Sequence, residues 1–277
     1  MGFLGIRTSG EWPDPLKELD LLKAVRLHIR GFSEFGVPIL SRSAIVSISN
    51  LVLSRLDPRS LELPLQTDVA GILQNLRNRY AVDVRIEDLG FLRGRIVLGK
   101  VVFSENRIYL HHSLTAEHPA FRFVAGHEIG HWLLHRWERI RDSRDASELE
   151  GSADCEDDVF KLLGPGRLKS MVDWLEFQAN CFAAALVMPQ RTFLRALEDG
   201  QRQLSIGKNL GDVWLNPDDQ SWRDFHSIVG HLTGVFGVSK TAVTIRLKEL
   251  HRLHVHSQCG EVLDALGRVG PWRSPAE

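Results

Sequence analysis

His127-Glu128-Ile129-Gly130-His131 sets two imidazoles four residues apart with a carboxylate beside the first. The surrounding stretch, Pro119 to His135 (PAFRFVAGHEIGHWLLH), has amphipathic helical spacing, with Pro119 suited to the first turn. On a helix, side chains at i and i+4 share a face about one turn apart, so both imidazoles can reach a single Zn2+ ion. Glu128 then stands beside the open coordination position. There its carboxylate can take a proton from a water whose pKa the ion lowers toward about 7. The apolar neighbours Phe121, Phe123, Val124, Trp132, Leu133 and Leu134 place the motif inside the protein. A buried imidazole pair without an ion would need other partners for its nitrogens.

A catalytic zinc needs a third protein ligand and one free position. The segment VDWLEFQANCFAAALVMP, Val172 to Pro189, reads as a second helix stopped by Pro189. Glu176 and Asn180 share one face of it, and Ala179, Ala183 and Ala184 lack bulk, so the helix can approach a neighbour closely. An unpaired Glu would be costly to bury on so apolar a helix, and ligation removes that cost. Glu176 is therefore the leading third ligand, with Asp173 on the same side as the alternative. A His2Glu set with an open position suits zinc, and manganese or iron can occupy the same donors.

Together, FRFVAGHEIGHWLLH at 121–135 and EFQANCFAAALVMP at 176–189 resemble the ImmA/IrrE family of bacterial metallopeptidases. In that family an HExxH helix is followed by a Glu-x-x-Ala-Asn-x-Phe-Ala-Ala segment ending in Met-Pro. The resemblance spans about residues 37–256, including Val37-Pro38-Ile39-Leu40. It implies a zincin-like α+β core with His127, His131 and Glu176 as metal ligands and Glu128 as catalytic base. It further implies a zinc-dependent endopeptidase whose protein substrate is a helix-turn-helix repressor, cleaved to derepress stress-response or mobile-element genes. Two departures stand out. Gln178 occupies a position where many relatives carry an acid, and the 45 residues from His131 to Glu176 exceed the usual spacing. The inserted stretch, 136–170, reads either as a mobile lid or as a solvated charged loop.

The elements that must position these residues follow from periodicity. Residues 1–36 mix Gly and Pro with a helical apolar pattern and read as an N-terminal appendage. The peptidase domain is expected over 37–200. Its first part is helical, with apolar residues from Ile45 to Leu56, a break at Asp57-Pro58 and a resumption over Val69–Leu76. Between Val82 and Leu114 the period drops toward two and glycines punctuate, which predicts a small antiparallel sheet. A helical C-terminal region, 201–277, contains a segment at 222–256 that reads as helix, Gly237 turn and helix, with Ser239 as a cap. This is helix-turn-helix spacing, and Lys240, Thr241, Thr244, Arg246, Lys248 and Arg252 are placed for DNA contact. The competing reading makes Val243, Ile245, Leu247 and Leu250 ordinary core. The helix-turn-helix reading leads to the alternative function, a DNA- or repressor-binding regulator with a structural or degenerate metal site.

Other titratable residues carry less. His135, one turn beyond His131, reads as a supporting or core histidine; His111 and His112 sit at a strand end; Cys181 has apolar neighbours and reads as an inert thiol. Lys and Arg total 34 against 35 Asp and Glu, so no global basic field marks a nonspecific nucleic-acid or membrane-surface binder. Three scattered cysteines exclude a disulfide framework. No targeting segment or membrane-length apolar run is evident, and the expected setting is the cytoplasm.

Overall fold

The computed structural model describes residues 20–33, 37–92, 95–136, 152–153 and 171–259. Four helices come first: α1 (Asp20–His28), α2 (Arg42–Leu56), the single-turn α3 (Arg59–Glu62) and α4 (Val69–Tyr80). Ser41 starts α2 by accepting the Ala44 N–H through its Oγ, and Asp68 does the same for Gly71 at the head of α4. Asp57 ends α2 where Pro58 forbids continuation, as the Asp57-Pro58 break predicted. Leu21 and Val25 of α1 are fully buried in the same core as Ile45, Ile48 and Leu53 of α2.

Strands β1 (Asp83–Glu87), β2 (Phe91–Leu92), β3 (Arg95–Val102) and β4 (Arg107–His111) follow. They lie in the order β1-β4-β3-β2, and β5 (Ser152–Ala153) pairs with β3 at Val97 and Gly99. The expected antiparallel sheet is in fact mixed, because β1 and β4 run parallel from Asp83–Arg107 to Glu87–His111. The β2–β3 hairpin lies between them in sequence, so β4 re-enters in the direction of β1. Alternation of side chains reports a strand, not the direction of its partner. The class is α+β.

Helix α5 (Phe121–Leu134) lies against β3 and β4 and is buried over nearly its whole length. Asn106, in the left-handed turn before β4, ties it to the sheet. Its Oδ1 accepts from Trp132 Nε1 at 2.8 Å, and its Nδ2 donates to the carbonyl oxygens of Tyr80 and Ala81. Helix α6 (Met171–Val187) packs across both α5 and α2 and stops before Pro189, with α7 (Gln190–Gln203) starting beyond it. A parallel pair, β6 (Val213–Leu215) and β7 (Leu253–Val255), brackets α8 (Asp219–Phe236) and α9 (Lys240–Glu249). Among the described residues no single helix is long and apolar enough to cross a membrane.

Candidate metal centre

Small residues decide how closely α5 and α6 meet. A Cβ on Gly130 would fall 3.2 Å from Ala179 Cα and 3.1 Å from Phe182 Cδ1, and one on Gly126 would fall 3.5 Å from Ala183 Cα. The alanines of α6 therefore admit the glycine face of α5, the close approach their size predicted. That approach brings His127, His131 and Glu176 together. His127 Nε2 lies 3.3 Å from Glu176 Oε2, His131 Nε2 lies 3.2 Å from Glu176 Oε1, and the two Nε2 atoms are 2.8 Å apart. Glu176, not Asp173, is the carboxylate gathered with the two histidines. The His127 side chain is fully buried and that of Glu176 is 17% exposed, so Glu176 is the cluster's contact with solvent.

The hydrogen bonds behind the rings match ligation. His127 Nδ1 is 2.9 Å from Asn180 Oδ1, an oxygen that can only accept, so the proton of His127 sits on Nδ1 and its Nε2 carries a lone pair. Behind His131, Nδ1 meets His135 Nδ1 at 2.9 Å. Two imidazole nitrogens and a carboxylate oxygen thus converge, a donor set that fits a divalent cation and leaves a fourth position open. Burial works against the Glu176 charge, yet the adjacent His131 and His127 outweigh it and hold the carboxyl well below the usual carboxylate range. Burial, reinforced by the neighbouring His131, pushes His135 far toward its neutral form.

Glu128 lies one residue past His127 and is only 1% exposed. It faces β3: a Cβ on Gly99 would fall 2.7 Å from Glu128 Cγ and 2.8 Å from its carboxyl carbon. The strand offers this carboxylate a glycine where any other residue would occupy its place. In the sequence Gly99 is one of the glycines that punctuate the strand pattern, and a strand glycine signals close approach without naming what approaches.

A second group, Asp88, His111 and His112, gathers at the end of β4. Its hydrogen bonds run the other way. His111 Nδ1 accepts the Ser113 backbone N–H at 3.1 Å, so its proton sits on Nε2, facing Asp88 Oδ1 at 3.4 Å. A protonated nitrogen cannot ligate, and this group is a His111–Asp88 pair beside His112, whose ring is tilted 30° against that of His111.

The C-terminal helix pair has the expected form. Gly237 ends α8 at φ 60°, Ser239 Oγ accepts from Ala242 N, and the two helices are bent by 103°. Its second helix, however, faces inward. Thr244 and Arg246 are buried, and Arg246 donates from Nε to the Met188 carbonyl at 3.1 Å and from a terminal nitrogen to Glu249. These two side chains serve packing and the α6–α7 bend, while Lys240, Thr241, Lys248 and Arg252 remain at least partly exposed. Cys181 is buried, and that burial pushes its thiol up to about 12. The expected lid or loop at 136–170 lies outside the described residues apart from Arg136 and β5. The chain matches no protein-family model, and no curated protein is significantly similar to it.

Proposed function

We propose that the protein is a cytoplasmic zinc-dependent endopeptidase built on a zincin-like core. One observation carries this reading: the Nε2 atoms of His127 and His131 and the carboxylate of Glu176 converge within one buried cluster, with Glu128 adjacent on the same helix. These three residues would hold the metal. Zinc bound there supplies an acidified water and polarises a peptide carbonyl. Asn180 keeps the Nε2 lone pair of His127 toward the site. Glu128, held between α5 and Gly99, takes the proton of the attacking water and delivers it to the leaving amine nitrogen.

The resemblance to the ImmA/IrrE family supports a folded regulatory protein as substrate, a helix-turn-helix repressor whose cleavage derepresses its genes. The alternative, a DNA-binding regulator, draws less support from α9, where Arg246 and Thr244 are committed to the interior. Glu128→Gln separates the two. Hydrolysis of a repressor encoded beside the gene should fall by roughly 10²- to 10⁴-fold while zinc content is unchanged. Undiminished hydrolysis, or regulation that persists with the variant, removes the peptidase reading.

A further inference from the structure

Behind His131 runs a chain of buried polar groups that ends on the backbone. Gln178 Nε2 donates to the Pro38 carbonyl at 2.7 Å, which turns its Oε1 toward His135 Nε2 at 3.2 Å. His135 Nδ1 in turn meets His131 Nδ1 at 2.9 Å. His135 and Gln178 are both fully buried.

We propose that Gln178 and His135 form an uncharged relay, anchored on the Pro38 carbonyl, that dictates which nitrogen of His131 carries the proton. The direction follows link by link. A backbone carbonyl only accepts, so the Gln178 amide nitrogen faces Pro38 and its oxygen faces His135. An amide oxygen only accepts, so His135 carries its proton on Nε2 and presents a bare Nδ1. That nitrogen accepts from His131 Nδ1, which leaves the lone pair of His131 on Nε2, the atom beside Glu176. The loop that bears Pro38 thereby reaches the site through three hydrogen bonds and no charge. Both residues are positioning residues: neither touches the substrate side of the cluster, and they act through His131. The metal-affinity consequence rests on the zinc-site reading above; the tautomer follows from the relay, which works against the pull of the Glu176 carboxylate, 3.2 Å from His131 Nε2, for a proton on that atom.

Gln178→Met keeps the volume and cuts the relay, whereas Gln178→Glu keeps an acceptor for His135. The full-length protein, labelled with ¹⁵N histidine, is compared by long-range proton–nitrogen NMR without metal, and zinc affinity is measured by chelator competition. The wild type should show His131 and His135 each as one neutral tautomer, Nδ1–H for His131 and Nε2–H for His135. Gln178→Met should mix the His131 tautomers and weaken zinc by about 10- to 100-fold. Gln178→Glu, which still accepts from His135 but no longer donates to Pro38, should restore the tautomers and only part of the affinity. Unchanged His131 tautomers in a folded Gln178→Met, or an Nε2–H His131 in the wild type, overturn the relay. Because the tautomers are read without zinc, a wild type that binds no zinc sinks the metal reading and leaves the relay to be judged on its spectrum.

Discussion

Gly99 of β3 and Glu128 of α5 occupy each other's space: the position of a Gly99 side chain is filled by the Glu128 carboxyl arm. Glu128 is the flexible partner, so a methyl at residue 99 would displace the carboxylate before it moved the strand. Gly99→Ala should therefore lower peptide hydrolysis by about 100-fold, since small misplacements of a catalytic group cost that much. Zinc content should stay at the wild-type level and stability should fall by about 1 to 3 kcal/mol. Parallel assays of hydrolysis, bound zinc and denaturant unfolding check this, and full activity would show that Glu128 does not need its place against the strand.

Gly126 and Gly130 lie one turn apart on the same helix and predict opposite responses to alanine. At Gly126 the new methyl meets ordinary contact distances, from 3.5 Å to Ala183 Cα, and the helix gains propensity. Gly126→Ala should raise stability by up to about 1 kcal/mol. At Gly130 the methyl meets the α6 backbone itself, 3.2 Å from Ala179 Cα and 3.3 Å from the Ala179 oxygen. Gly130→Ala should destabilise by about 1 kcal/mol or more and weaken metal binding, because α6 carries Glu176. Urea unfolding of the two variants decides the sign at each site.

Arg246 tests what α9 is for. Its side chain is 4% exposed and its partners are Met188 O and Glu249. Replacing it with Met strands the Glu249 charge, so Arg246→Met should cost about 3 kcal/mol of stability. Lys240→Ala, at an exposed position, should stay within about 0.5 kcal/mol. Equal and negligible losses in thermal unfolding would show that Arg246 is not a structural tether.

Burial raises the Cys181 thiol from an ordinary value of 9.0 to about 12. A group whose pKa is raised by folding stabilises the native state fully below its unfolded pKa and loses that contribution as pH climbs toward the folded value. Stability should decline between about pH 9 and pH 12, and less so in Cys181→Ala. At pH 8 the native Cys181 should resist a thiol reagent that labels it rapidly in denaturant, read by mass spectrometry of the peptide containing it. Rapid native labelling would mean an exposed thiol.

Much of the site could be read from the chain because its residues are local in sequence or signalled by cost. The i,i+4 spacing fixed the histidine pair, and a carboxylate on an apolar helix marked Glu176. The helix breaks at Asp57-Pro58 and Gly237 were equally plain, each enforced by backbone chemistry. What escaped depends on pairing between distant segments. The parallel alignment of β1 with β4, the glycine cradle for Glu128 and the anchoring of Gln178 on Pro38 join residues 24, 29 and 140 positions apart, and no periodicity records such partners. Arg246 shows the converse, for a basic residue on a helix-turn-helix pattern suggests phosphate while its surroundings bind it to a carbonyl.

The measurement that bears most directly on the metal centre is zinc per chain, by elemental analysis, with affinity by chelator competition, for the wild type, His127→Ala, Glu176→Ala and Glu128→Gln. The geometry of His127, His131 and Glu176 predicts one tightly held zinc in the wild type and in Glu128→Gln, with affinity lost by at least about 100-fold in the two ligand variants. A wild type that stays metal-free when zinc is supplied, or a Glu176→Ala variant that binds zinc as tightly as the wild type, would contradict it.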